Sequence, residues 1–181
     1  MRKRHAAQEA RRAREFEAFV AGAGGRLLHT ATLLTAEASD ANPRARRLLT
    51  LALAHTYACW DRLHGEDPYD RAREYLATRF ARGAWHRYGG LAPYLYLPLP
   101  LPLGRAHARV RPVGPLARLG HQERLILVLR LYEGVAEEQV AALLGLPTER
   151  VRTVCDRATA TLLHPPRGPA PARVRPKAAT S

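Results

Sequence analysis

The chain has 181 residues, with 29 lysine and arginine residues against 16 acidic ones, and its net charge of +13 favours a polyanionic partner such as nucleic acid or an anionic membrane surface. This length holds one ordinary domain or two small ones. No apolar run approaches the ~20 residues of a membrane span, and the N-terminus lacks the apolar core of a signal peptide. We therefore expect a cytoplasmic protein without membrane insertion.

The N-terminal stretch predicts a basic arm followed by an interrupted helix. Residues 1–14 are basic and alanine-rich, which is typical of either a frayed helix or a disordered arm. Apolar residues at helical spacing begin at Phe16, stop at the glycine-containing stretch 21–25, and resume from Leu27 to Thr35. These apolar residues are core candidates only.

Two further helices are marked by their N-terminal signals. Asn42 is placed to cap a helix over residues 44–63, and Asp67 is placed to cap another over residues 68–88. A proline directly follows each capping residue, as is common at the first helical position. The sequence therefore predicts an all-helical region over residues 15–88.

One side of the helix over residues 68–88 interleaves basic and aromatic residues. Cations follow a nucleic-acid backbone while rings stack on unpaired bases, so this pattern suits single-stranded DNA. A solvated basic face with aromatic residues at its rim explains the pattern equally well. The candidate residues for a melted strand are Tyr75, Arg79, Arg82, Trp85 and Arg87.

Residues 89–115 contain six prolines and cannot form a regular helix. The alternation LPLPLPL favours polyproline II, which makes this stretch a linker between two domains. The tail over residues 165–181 has a basic, disorder-prone composition. We therefore predict an all-α protein of two small helical domains, at residues 15–88 and 116–164, joined by a proline-rich linker.

The stretch from His121 to Leu163 predicts a helix-turn-helix. Helical spacing indicates helices over residues 121–132 and 136–144, and Thr148 is placed to cap a third. Ala141, Gly145 and Val151 fall where such a unit needs a small residue, a glycine with positive φ and a buried β-branched anchor.

The outward face of the third helix is cationic and rich in hydrogen-bonding groups, which suits a major groove. An antiparallel helix pair inside an ordinary bundle would explain the apolar positions but not this face. The candidate residues for duplex DNA are Thr148, Arg150, Arg152, Thr153 and Arg157.

No spacing in the chain indicates catalysis or a bound cofactor. His55 and Cys59 lie one helical turn apart, but no third ligand has metal-binding spacing, and Cys155 fits a small core residue. Neither a nucleophile arrangement nor a phosphate-binding loop is present in the sequence. We expect no enzyme, no metal and no cofactor.

The run LVLRLYEGVAEEQVAALLGLPTERVRTVCDRATATL resembles the C-terminal DNA-binding region of bacterial RNA polymerase sigma factors of the extracytoplasmic-function class. The residues that match the pattern of that class are Arg130, Tyr132, Glu133, Ala141, Gly145, Val151 and Arg152. The usual arginine two residues after Arg152 is Val154 here. The resemblance implies promoter DNA and core RNA polymerase as partners, and an anti-sigma protein is a candidate further partner.

Residues 14–88 include the stretches EFEAFVAGAGGRLLHTATLLT and LALAHTYACWDRL. Through them this segment also resembles the N-terminal region of that family, which binds core polymerase and the melted promoter. Where the family usually has an acidic helix start that engages the polymerase clamp, this sequence has Arg44, Arg46 and Arg47, and Leu51 replaces a usual glutamate. The resemblance thus implies a sigma factor that directs promoter-specific initiation. The alternative is a diverged sigma-like regulator that binds DNA or a protein but does not recruit polymerase.

Overall fold

A computed structural model describes residues 2–63, 65–85 and 112–164. These residues are almost entirely helical and form no strand, which confirms the all-α prediction for this part of the chain. The predicted linker over residues 89–115 lies mostly outside the described residues, and the predicted tail over residues 165–181 lies wholly outside them. The helices are α1 (Arg2–Thr35), α2 (Pro43–Ala58), α3 (Pro68–Trp85), α4 (His121–Leu127), α5 (Glu137–Leu144) and α6 (Thr148–Leu163).

Helix α1 is continuous over 34 residues, so the predicted interruption at residues 21–25 is wrong. Glycine inside a helix costs roughly 1 kcal/mol relative to alanine, and tertiary packing on both sides offsets this cost. Before the glycines, the Phe16 ring lies 4.9 Å from the ring of Tyr57 and 5.2 Å from that of Trp60. After them, Leu27 and Leu34 are fully buried.

Helix α2 begins at Pro43 as predicted, but its N-terminus is capped by a different side chain. The Glu37 carboxylate accepts hydrogen bonds from the backbone N–H groups of Arg44 and Ala45, at 3.3 and 2.8 Å. The Asn42 side chain instead donates to Thr32 Oγ1 and accepts from Arg46. The helix also ends at Ala58 rather than at residue 63, and a short 3-10 turn over Trp60–Arg62 follows.

Helix α3 follows the predicted cap, because the Asp67 carboxylate accepts a hydrogen bond from the backbone N–H of Tyr69 at 2.8 Å. The buried side of α3 contains Ala72, Leu76 and Phe80. Helices α1, α2 and α3 pack on one another and form the N-terminal part of the core.

The C-terminal region begins with a 3-10 turn at Pro115–Arg118, and α4 then leads into one π-helical turn over Val128–Tyr132. The predicted helix over residues 121–132 is therefore present, with a π-helical last part. Helices α5 and α6 follow and pack on each other, and α6 also packs on α4.

The regions on either side of residues 86–111 share one hydrophobic core. Buried residues of α1, α2 and α3 belong to the same cluster as Leu125, Ile126, Leu129, Val140 and Val151. This contact between the regions has no counterpart in the sequence prediction, which treats each region as a small domain. The division into two domains stays a prediction.

Buried polar groups also join the two regions. The side chain of Glu133 is fully buried and accepts hydrogen bonds from the hydroxyls of Thr30 and Tyr69. It also forms an ion pair with Arg26. The buried Arg124 donates to the carbonyl of Leu34, at the end of α1, at 3.1 Å. Because Glu133 and Arg124 are buried and each contacts partners from the other region, these contacts fix how the regions meet.

Candidate nucleic-acid interface

The turn between α5 and α6 has the geometry that the sequence predicts. Gly145 has φ 65° and ψ 38°, the left-handed conformation that favours glycine. Ala141 and Val151 are buried where the two helices approach each other. The turn therefore fixes the angle between α5 and α6, and one side of α6 remains exposed to solvent.

Four of the five candidate residues for duplex DNA lie on that exposed side of α6: Arg150, Arg152, Thr153 and Arg157. Thr148 is half-buried and is the first residue of α6, not its cap. The capping position is Pro147, which has no side-chain donor or acceptor, so the predicted capping role of Thr148 is wrong. The hydroxyl of Thr153 donates to the carbonyl of Glu149 within the helix.

Arg152 is held by two carboxylates. Its Nε and Nη2 atoms donate to one oxygen of Glu137 on α5, at 3.2 and 3.0 Å, and its Nη1 atom lies 3.0 Å from Glu149. Hydrogen bonding to Glu137, followed by the charges of both carboxylates, raises the pKa of Arg152. The Arg152 side chain nevertheless remains about half exposed, at 53%, so it is both oriented and accessible.

Arg157 has a similar partner at the start of α4. One oxygen of Glu123 accepts from Arg157 at 2.8 Å, and its other oxygen accepts from the backbone N–H of Gly120. Glu123 thus links α6 to the N-terminus of α4. Arg150, by contrast, forms no ion pair within residues 112–164 and is free to meet an anion.

Cys155 lies on α6 and packs against the core, as the sequence predicts. Burial raises the pKa of its thiol. A thiol that resists ionisation is a poor nucleophile, which fits a packing role.

The candidate residues for melted DNA are only partly described. Arg79 and Arg82 are exposed on α3. Tyr75 is half-buried, and its ring stacks on His55 with 4.3 Å between the centroids. The side chain of Trp85 and the whole of Arg87 lie outside what the structure describes.

The three arginines at the start of α2 form a cationic edge. Arg46 and Arg47 are exposed, while Arg44 is half-buried and Leu51 is half-buried farther along α2. No acidic residue lies in the first turn of this helix. The Glu37 carboxylate caps this end of the helix, while the exposed side chains of Arg46 and Arg47 present positive charge to solvent.

The contacts of three acidic residues, Glu123, Glu133 and Glu137, were not predicted from the sequence, although Glu133 is among the residues that match the family pattern. Each contacts a residue far away along the chain or on another helix. The one sequence signal was local, since Glu123 lies three residues after Gly120 at the position that completes a cap.

Within residues 2–63, 65–85 and 112–164, no cluster of three or more His, Cys, Asp or Glu side chains is arranged to hold a metal. The Cys59 sulfur lies 3.9 Å from Nε2 of His55 without a third ligand there. In the same ranges no helix is long and apolar enough to cross a membrane.

These elements form a helix-turn-helix unit with a fixed turn, a small residue, a buried anchor and an exposed cationic second helix. Residues 116–162 match the family model described as Sigma-70, region 4. No match to the chain was found among curated proteins or among solved structures. The C-terminal region is therefore a sigma-factor-like DNA-binding domain.

Proposed function

We propose that this protein is a sigma factor of the extracytoplasmic-function class, which directs promoter-specific transcription initiation by bacterial RNA polymerase. The observation that carries the proposal is the exposed arginine face of α6 inside a Sigma-70 region 4 domain. In this role Arg150, Arg152 and Arg157 contact the upstream promoter duplex. The protein supplies no catalytic group, and the proposed role places it in the cytoplasm with the transcription machinery.

The N-terminal region supports a second contact with the promoter. Arg79 and Arg82 are exposed on α3, and the half-buried ring of Tyr75 lies on the same helix. Exposed cations near an aromatic ring suit an unpaired strand. We assign Tyr75, Arg79, Arg82, Trp85 and Arg87 to the melted promoter element, with the last two assigned from the sequence alone.

A second candidate function is favoured by the cationic edge of α2. By the resemblance of residues 14–88, Arg44, Arg46 and Arg47 occupy the helix start where sigma factors of the extracytoplasmic-function class usually have acidic residues that meet the polymerase. Like charges across an interface cost up to several kcal/mol, which is more than an exposed ion pair contributes. The alternative is therefore a sigma-like regulator that binds DNA or another protein, such as an anti-sigma protein, without recruiting polymerase.

Titration against core polymerase separates the two functions. We expect weak binding by the unaltered chain, and stronger binding by the triple variant Arg44→Asp, Arg46→Glu, Arg47→Asp, most clearly at low salt because screening weakens the repulsion. A matched control reverses Arg62, which is exposed outside the edge. Tight binding by the unaltered chain, together with loss of affinity in the triple variant, would contradict the charge argument and establish a competent sigma factor with an altered docking surface. Absence of binding by both forms would favour the regulator.

A further inference from the structure

Glu137 connects the interior of the helix-turn-helix unit to an arginine on its exposed face. One of its carboxylate oxygens accepts from Nη2 of Arg130 at 3.4 Å, and the other accepts from Nε and Nη2 of Arg152. Arg130 also donates to the carbonyl of Val135. Because the side chain of Glu137 is only 18% exposed, this series of contacts anchors one edge of the Arg152 guanidinium.

The opposite edge of that guanidinium is differently held. A guanidinium has five N–H donors, and its end edge presents one from each Nη atom. Among the residues that the structure describes, Glu149 alone contacts Nη1, and the side chain of Glu149 is 77% exposed and lies three residues away on the same helix. An exposed pair of this kind contributes little free energy, so Glu149 is able to turn into solvent when a stronger acceptor arrives.

We propose that Glu137 is a positioning residue for base recognition by Arg152, and that the base is a guanine. Glu137 holds the side edge of the guanidinium, and the end edge then donates to N7 and O6 of guanine after Glu149 releases Nη1. An arginine that is already oriented loses less rotamer freedom on binding. This inference rests on the proposed binding of duplex DNA by α6.

If Glu137 acted only through its negative charge, the expected result would be different. The neighbouring residue Glu138 distinguishes this charge effect from a positioning role. If the carboxylate of Glu137 only repelled phosphate, its removal would raise affinity for every sequence equally. Glu138 is exposed and forms no hydrogen bond or ion pair among the described residues. Glu138→Gln therefore removes one negative charge from α5, the helix that also carries Glu137, without disturbing the contacts of Arg152.

The experiment uses the full chain and a duplex library with randomised sequence. Selection with the unaltered protein defines the preferred site, and Arg152→Ala then identifies the base pair that Arg152 reads, as the position where preference is lost. Affinities are next measured for duplexes with guanine, adenine or 7-deazaguanine, which lacks N7, at that position. We expect the unaltered protein to prefer guanine by about 5- to 150-fold, the range of one bidentate contact.

Glu137→Gln should reduce this preference at least about fivefold at that base pair alone, whereas Glu138→Gln should retain it. In the Arg152→Ala background, Glu137→Gln should have no further effect there. If Glu137→Gln does not stay folded, Glu137→Asp, which withdraws the carboxylate by one methylene group, carries the same expectation.

Retained preference in Glu137→Gln, equal loss in Glu138→Gln, or a base other than guanine would each overturn the proposal. Those results leave sequence-specific DNA binding intact. An unaltered protein that selects no sequence at all would instead overturn the proposed function, and the positioning role with it.

Discussion

The helix-turn-helix unit has two faces of opposite character. Its inner face packs on α1 and α3, where the fully buried carboxylate of Glu133 receives donors from Thr30, Tyr69 and Arg26. Its outer face is the exposed side of α6, where Arg152 lies half in solvent and is held by Glu137 of α5, only four residues after Glu133. The same residue type thus joins two regions of the chain on one face and orients a candidate DNA contact on the other.

The carboxylates on the two faces differ in what they contribute, one to the stability of the fold and the other to the orientation of a side chain. A buried charge with several donors is costly to disturb, because each partner would lose its hydrogen bond without gaining water. A half-exposed ion pair contributes little to folding and acts mainly on orientation. We therefore expect changes at the inner face to alter stability and changes at the outer face to alter DNA binding.

Cutting the chain between the regions tests the inner face most severely. The proline-rich sequence over residues 89–115 predicts cleavage there by a nonspecific protease at low dose. Because both regions contribute to one core, we expect the two fragments to elute together in size-exclusion chromatography without denaturant. Fragments that separate would show that the shared core is too weak to hold the regions. Resistance of the whole segment to cleavage would contradict the prediction of two domains on a linker.

Removing the buried carboxylate should give the next largest effect. Glu133→Ala removes the carboxylate that accepts from the Tyr69 hydroxyl, and it leaves the Thr30 hydroxyl with only the carbonyl of Arg26 as an acceptor. We expect a loss of about 3 kcal/mol in the free energy of unfolding. Urea unfolding followed by circular dichroism measures it. The exposed Glu138→Ala is the matched control and should change stability by less than about 0.5 kcal/mol. Equal effects in the two variants would mean that Glu133 does not join the regions.

Tyr69 should make the stability contributed by the inner face depend on pH. Burial, followed by the hydrogen bond to Glu133, raises the pKa of the Tyr69 hydroxyl above its ordinary value. The folded state therefore keeps this proton longer than the unfolded state does, so the stabilisation is complete below about pH 10 and is lost as the pH rises further.

Tyr69→Phe should cost about 1.5 kcal/mol at neutral pH, the typical contribution of a hydrogen bond to a charged group. The difference between the variant and the unaltered chain should shrink above pH 10. Urea unfolding of both proteins at pH 7, 9 and 11 checks this. A difference that stays constant across the three pH values would contradict the raised pKa.

The smallest expected effect concerns α1, the helix that covers the inner face. Apart from its chain neighbours and the nearby backbone of α1, a Cβ atom added at Gly22 would meet no atom within 4 Å. If α1 is continuous, Gly22→Ala should therefore raise the free energy of unfolding by roughly 0.5 to 1 kcal/mol. Thermal unfolding would show this as a higher midpoint. A lower midpoint would indicate that α1 is interrupted at residues 21–25, as the sequence predicts.

The outer face was largely predictable from the sequence, and the inner face was not. Gly145, Ala141 and Val151 lie close together along the chain, so their spacing alone indicates the turn and the direction of α6. Thr30 and Glu133 are 103 residues apart, and no local pattern links them. The continuity of α1 also escaped prediction, because its three glycines favour a break locally while packing at both ends favours a helix.

The pairing of Arg152 with Glu137 lies between these cases. The sequence predicts an outward arginine at this position, which the structure confirms. The carboxylate that orients it comes from the neighbouring helix, fifteen residues earlier. Helical spacing describes neighbours on one helix only, so contacts between helices need the crossing angle that the turn provides.

The central claim is that α6 reads duplex DNA, and charge reversal on its exposed face tests it most directly. Fluorescence anisotropy with a duplex selected by the unaltered chain should show that Arg152→Glu weakens binding by at least about 1 to 3 kcal/mol, with similar losses in Arg150→Glu and Arg157→Glu. Reversal of Arg62, which is exposed on the 3-10 turn after α2, is the control. It should change the affinity far less. Unchanged affinity in all three α6 variants would contradict the account, because it would mean that this helix does not face DNA.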